Sequence, residues 1–261
     1  MIYIMKIRHL ISKELRERKI RYIVGTVLLP LISSLFFIPR FFGLDDKFVD
    51  IITELTPLYL ASYPLIKHDL LSLIIYTDIY FPVFILIPAF TSPFLGVLES
   101  VINEKENRTL EGLLSLPISD REILIGKMGG SMIAGICLTW LMFLMHLVFF
   151  AIHLPDIIFL HLLSAKWISL VLIFSPIISY IANSIGILLS VWLKKLNTAA
   201  NLGILILCPF FLFVFLISSG KIVLNVKSII VMSFVGLIIG SVLFFIAERL
   251  FNREKLLLRY Y

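Results

Sequence analysis

Residues able to carry out covalent or metal chemistry are sparse in this sequence. No histidine lies in a His-Glu-x-x-His pattern, and Cys137 and Cys208 each lie alone in an apolar run. A protease or lipid-modifying enzyme within a membrane needs paired carboxylates, a Ser/His pair, or His and Glu at metal-ligand spacing. We therefore expect no catalytic residue, no metal site and no cofactor held by this chain. An intramembrane enzyme remains an alternative class.

Two polar residues inside apolar segments are candidates for lining a pathway, namely His146 and Asn183. Ionisable side chains are costly in lipid, so they are functional candidates by default. The other interpretation is structural: His146 is a neutral imidazole bonded to a neighbouring helix, and Asn183 bonds between helices, as do Ser179 and Ser184. The few buried carboxylates argue against a proton-driven or sodium-driven carrier.

Six of the 17 acidic residues lie in one segment, residues 99–127. Two short amphipathic helices are predicted here, one with Leu110, Leu113, Leu114 and Leu116 on its apolar side and ending before Pro117. The second is predicted to start at Ser119, because Glu122 three residues later completes the pattern of a capping box. A plain connection between helices needs only a few residues. We therefore interpret this segment as a docking surface.

The elements that position these residues are transmembrane helices. The chain is 60% hydrophobic and 15% charged, with a mean hydropathy of +1.04, whereas soluble domains carry roughly 25% charged residues. A span needs about 20 mostly apolar residues. The predicted fold is an all-α membrane protein of one domain, 1–261, with six spans at about 20–38, 76–98, 128–150, 167–192, 202–217 and 228–247.

The second predicted span carries Pro82, Pro88 and Pro93. Proline removes a backbone donor, and in lipid the freed carbonyl must be satisfied by neighbouring groups. We expect this helix to be kinked and surrounded by protein. The bends are either ordinary structural features or shape a cavity.

The segments outside the spans allow two interpretations each. Ile4, Ile7, Ile11 and Leu15 recur at helical spacing, which predicts an N-terminal amphipathic helix at the membrane surface or a solvated start of the first span. No small-residue cleavage site follows, so we expect the segment to be retained. Residues 39–75 form either an interfacial or re-entrant helix, or a partly ordered loop.

The basic residues predict the orientation. Of the 23 Lys and Arg residues, 17 lie in residues 1–22, 99–127, 192–201 and 248–261. Cytoplasmic segments retain such residues in excess, so both termini are predicted to be cytoplasmic. Contact of these residues with anionic lipid explains the pI of about 9.3 without nucleic acid. We expect a multi-pass protein of the inner or plasma membrane.

In residues 99–127 the sequence resembles the ABC-2 type permeases. That family has acidic residues, then Thr-Leu-Glu, a Leu-Leu pair, Pro, Ser and a terminal Lys. The matching residues here are Glu104, Glu106, Thr109, Leu110, Glu111, Leu113, Leu114, Pro117, Ser119 and Lys127. Two features depart from the family pattern. Arg108 replaces a usual Gly, and only ten residues, 218–227, separate the last two spans where a re-entrant hairpin is usual.

The resemblance implies that residues 99–127 form a coupling loop in a groove of a separate ATP-hydrolysing subunit. Glu104, Glu106, Arg108 and Glu111 are then candidates for salt bridges with that subunit, or else are solvated. The implied contact residues are Glu104, Glu106, Arg108, Thr109, Leu110, Glu111, Leu113, Leu114 and Pro117. No P-loop motif occurs in the chain, so ATP would be bound by the partner subunit.

The resemblance further implies an exporter that works as a homodimer or with a second, similar permease. The few fixed charges in the spans favour an amphipathic or hydrophobic cargo, such as a drug, peptide or lipid-linked compound. The alternative is an immunity or sensor protein that binds a peptide without moving it.

Overall fold

The computed structural model describes residues 68–107, 109, 119–193, 208–217, 222 and 224–251, together with Ile11 and Pro57. Within these residues every regular element is a helix and there are no strands. In this described part of the chain, four helices are long and apolar enough to cross a membrane. The predicted all-α membrane protein is thus confirmed at this level. The first predicted span, 20–38, lies outside the described residues.

Helix α1 runs from His68 to Glu106 and contains the second predicted span. Its 39 residues extend for about 58 Å, roughly twice the hydrocarbon thickness of a bilayer. All three prolines inside it are buried, which confirms that this helix is surrounded by protein. The helix also includes residues 68–75 of the predicted 39–75 segment and residues 99–106 of the predicted 99–127 loop.

Helix α2 runs from Asp120 to His153, and Ser119 is its N-cap. The Glu122 backbone N–H donates to Ser119 Oγ at 3.3 Å, and the Glu122 carboxylate accepts from the Ser119 backbone N–H. The predicted capping box is confirmed. The prediction of a separate short helix starting at Ser119 was wrong. No proline interrupts the chain before Pro155, and α2 continues directly into the third span. The connection between α1 and α2 is therefore residues 107–119.

A short helix, α3, from Asp156 to Leu162 leads to helix α4, from Ala165 to Trp192. This helix matches the fourth predicted span. It is π-helical over Leu170–Phe174 and α-helical again from Ser175. The Val171 carbonyl in the π-helical turn accepts from Ser175 Oγ at 2.6 Å and from Trp140 Nε1 of α2 at 3.1 Å. A neighbouring span thus helps to satisfy the irregular backbone.

Two further helices complete the described chain. Helix α5, Cys208–Ile217, is the described part of the fifth predicted span, and α6, Val226–Leu250, contains the sixth. Ile11 is helical, and its Cδ1 would lie 3.1 Å from a Cβ added at Gly129 of α2. The other residues of the predicted N-terminal amphipathic helix lie outside the described part of the chain.

Helix α4 is the centre of the packing, with α1 on one side and α6 on another, while α2 packs against α1. The largest apolar core joins α1, α2, α3 and α4, with α5 and the start of α6 against it. Large apolar side chains on α2 and α6 remain exposed. In a chain of this composition such faces suit lipid or a further helix.

Candidate functional site

The ends of four helices meet near the 107–119 connection, and we call this region the loop end. A buried apolar cluster joins α1, α2, α4 and α6 there, formed by Val97, Ile123, Leu124, Met128, Ile187, Val191, Ala247 and Phe251. The C-terminal ends of α1, α4 and α6 therefore lie at the same end as the N-terminal end of α2. Ile11 lies at this end too, against Gly129. The side of the membrane that the loop end faces stays a prediction.

An ion pair closes the base of the connection. The Lys127 ammonium lies 2.7 Å from Glu104 Oε2, and it donates to Ser100 Oγ at 2.8 Å and to the Ser100 carbonyl at 3.3 Å. The Lys127 side chain is 1% exposed and that of Glu104 is 13% exposed. Ser100 and Glu104 are four residues apart, so they share one face of α1. Lys127 thus joins α1 to α2.

Lys105, the residue after Glu104, joins α1 to α4. The Lys105 ammonium, buried among the helices, donates to the carbonyls of Ser190, Val191 and Leu193. The last carbonyls of a helix have no partners within that helix, and a cation there also interacts favourably with the helix dipole. Lys105 therefore caps the C-terminal end of α4. Glu104 and Lys105 place the last turn of α1 between α2 and α4.

Three of the predicted contact residues are described. Glu104 pairs with Lys127, Glu106 is the exposed last residue of α1, and Thr109 is exposed. The Thr109 backbone N–H donates to the Glu104 carbonyl at 3.0 Å. This bond satisfies a carbonyl in the last turn of α1. The remaining predicted contacts lie outside the described residues: Arg108, Leu110, Glu111, Leu113, Leu114 and Pro117.

The two candidates for pathway lining are both buried. Asn183 Oδ1 accepts from Ser131 Oγ at 2.6 Å, and Asn183 Nδ2 donates to the Met128 carbonyl at 3.4 Å. Ser179 Oγ donates to the Ala89 carbonyl at 2.8 Å. Bonding between helices is thus confirmed for Asn183 and Ser179. Ser184 instead donates within α4, to the Tyr180 carbonyl at 2.9 Å.

His146 bonds within its own helix. Its Nδ1 lies 2.8 Å from the Met142 carbonyl, one turn earlier in α2. Its ring packs edge-on against Phe81 of α1, with the ring centroids 5.1 Å apart. This contact lies within α2, and the interpretation of His146 as bonded to a neighbouring helix stays a prediction. A role for His146 or Asn183 in lining a pathway stays a prediction.

A second charged cluster lies at the opposite end of the helices. Asp78 Oδ1 of α1 lies 2.8 Å from His161 Nε2 of α3 and 2.7 Å from Lys166 Nζ of α4. The three side chains are almost fully buried. The sequence analysis did not find this cluster, because nothing in the sequence relates residue 78 to residues 161 and 166. This cluster joins three helices.

The chain was also compared with known proteins. A family model described as ABC-2 family transporter protein matches residues 8–239. Neither a curated protein nor a solved structure matches the chain. The matched range covers most of the chain, including both ion-pair clusters and the whole 107–119 connection.

Proposed function

The chain belongs to the ABC-2 family of transporter proteins, and from this premise we propose that it is the permease subunit of an ATP-driven exporter. A permease of this family is a membrane subunit of a transporter and is not itself catalytic. Our proposal is that the loop end docks on a separate subunit, which binds and hydrolyses ATP. The loop end would then face the cytoplasm, in agreement with the excess of basic residues near it.

The observation that carries the proposal is the convergence of four helix ends on the 107–119 connection. A partner that moves this connection would act on α1, α2 and α4 together, because Lys127 and Lys105 join them. Glu106, next to the connection, and Thr109, within it, are exposed. We propose that eight of the nine predicted contact residues, 106, 108–111, 113, 114 and 117, form the docking surface, while the ninth, Glu104, is paired with Lys127.

The remaining partners are proposed on the same premise. Transport by two such halves requires a second copy of this chain or a similar permease. The exposed apolar faces of α2 and α6 offer room for that copy as well as for lipid. Binding of ATP by the partner subunit would shift the population between two arrangements of the halves. Because the spans carry few fixed charges, we propose an amphipathic or hydrophobic cargo.

Docking is tested by co-purification of the detergent-solubilised chain with a candidate ATP-binding subunit. We expect wild type to retain that subunit, and Glu111→Lys and the Leu113→Ala/Leu114→Ala double variant to lose it. The matched control is Asp156→Lys, which makes the same charge change at an exposed position at the opposite end. Loss of retention in the control alone, or no retention by wild type, would contradict the proposal.

A further inference from the structure

Lys127 is the most deeply buried cation at the loop end among the residues that the structure describes. The Lys127 ammonium donates two hydrogen bonds to the oxygens of Ser100, and the Glu104 carboxylate, a third acceptor, lies in ion-pair contact with it at 2.7 Å. All of these acceptors belong to the last two turns of α1. A point charge on a flexible side chain is thereby fixed to one position.

The pair has a specific place in the chain. Lys127 is the eighth residue of α2, so it lies about two turns beyond the helix start. Glu104 is the third residue from the C-terminal end of α1. The Lys127–Glu104 contact therefore bridges the two helices directly beneath the 107–119 connection. Without it, the ends of α1 and α2 would be held there mainly by the apolar cluster.

The position of Glu104 also bears on docking. Its carboxylate is directed at Lys127 and is only 13% exposed, whereas Glu106 is exposed. A carboxylate already engaged by a buried ammonium has less to offer an outside partner, since separating the pair would leave a buried charge unpaired. The geometry thus favours an internal task for Glu104.

We propose that Lys127 and Glu104 are positioning residues that transmit movement of the connection to α1 and α2 as one unit. We call the Lys127–Glu104 contact the clamp. The inference rests on the proposed function for its consequence in transport, but the clamp itself does not depend on a partner. Lys105 extends the same unit to α4 through the carbonyls at its C-terminal end. Docking is left to the other predicted contact residues, of which Glu106 and Thr109 are exposed.

The clamp is tested first without any partner. Spin labels at positions 106 and 120, in a background with Cys137→Ala and Cys208→Ala, report the distance between the ends of α1 and α2. We expect Lys127→Met and Lys127→Met/Glu104→Gln to broaden this distance distribution. The matched control is Glu248→Gln, which breaks the exposed 3.5 Å pair with Arg121 of α2. An unchanged width in both Lys127 variants would overturn the inference.

Transmission is tested next by comparing retention of the ATP-binding subunit with stimulation of its ATP hydrolysis. We expect Lys127→Met to retain the subunit and to lower stimulation by roughly twofold to thirtyfold, the range of coupling effects for residues between sites. The double variant should keep this defect even if the single variant folds poorly, since it leaves no unpaired charge. Lys127→Arg, which keeps the charge, should restore part of the stimulation.

The outcomes separate the inference from the proposed function. Failure of wild type to retain an ATP-binding subunit would refute the proposed function, and the distance measurement alone would then decide on the clamp. Retention by wild type with full stimulation in the Lys127 variants would overturn the inference only. Loss of retention in proportion to stimulation would also overturn it, because Lys127 would then act on docking.

Discussion

Ser179 Oγ donates to the Ala89 carbonyl across the α1–α4 contact at 2.8 Å, and this carbonyl is the one that Pro93 leaves without a helical donor. In an α-helix the N–H of residue 93 would donate to the carbonyl of residue 89, but proline has no N–H. The Pro93 ring packs against Gly135 of α2, where an added Cβ would lie 2.6 Å from its Cγ. Both neighbouring helices therefore accommodate Pro93: α4 supplies a donor for the freed carbonyl, and α2 has a glycine where the ring packs.

Ser179→Ala should lower the free energy of unfolding by about 1–3 kcal/mol, because a buried acceptor loses its donor. The measurement is thermal unfolding of the purified chain in detergent. The matched control is Ser184→Ala, whose hydroxyl bonds only within α4, and its effect should be smaller.

A second substitution tests the role of proline in this effect. Pro93→Ala restores an N–H to α1, so adding it to Ser179→Ala should recover part of the lost stability. The two changes should then be non-additive by about 0.5–3 kcal/mol, as for residues in direct contact. Additive effects would show that the Ser179 hydroxyl does not act by donating to the carbonyl that Pro93 leaves free.

Gly186→Ala should destabilise the contact between α1 and α4. An added Cβ would lie 2.5 Å from Val97 Cγ1 and 2.9 Å from the Phe94 carbonyl oxygen. The backbone oxygen cannot swing aside, so we expect the overpacking cost of about 1–3 kcal/mol to exceed the helix-propensity gain of about 1 kcal/mol. At Gly129 the neighbour is the flexible end of Ile11. Gly129→Ala should therefore unfold no earlier than wild type in the same assay.

Much of the helical framework is predictable from the sequence, because long apolar runs and capping residues act locally. The fourth span ends at Trp192 as predicted, and the Ser119 capping box forms as its spacing indicates. The continuity of α2 was misjudged: its polar first turns were predicted as a short separate helix, although the same helix continues into the third span. Lys127 with Glu104, and Asp78 with His161, were not found, since pairing across helices depends on packing that periodicity does not specify.

Asp78→Ala should be among the most destabilising single changes at the opposite end of the helices. It removes the carboxylate that contacts both His161 and Lys166, and breaking a buried ion pair costs about 3–5 kcal/mol. Thermal unfolding should show this loss. Asp156→Ala, at an exposed position in the same region, should change stability by less than about 1 kcal/mol. Equal effects of the two variants would contradict the structural importance of the cluster.

Phe234→Asp on α6 tests the exposed apolar face of that helix. Phe234 is 66% exposed near the middle of a span, where an aspartate costs about 2.5–3.5 kcal/mol on insertion scales. We expect a marked fall in membrane-inserted protein, measured by membrane fractionation. Lys227→Asp is the control, because an acidic residue in the first turn of α6 interacts favourably with the helix dipole. Normal insertion of Phe234→Asp would mean that this face contacts water or a polar partner.

The most direct test of the account is photo-crosslinking in intact membranes from position 109. A photoreactive residue replaces Thr109, an exposed residue of the connection. A second variant carries the photoreactive residue at position 156, at the opposite end. The account predicts an adduct at position 109 with a protein that carries a P-loop and hydrolyses ATP, and no such adduct at position 156. An ATP-hydrolysing protein captured at position 156, or none captured at position 109, would contradict it.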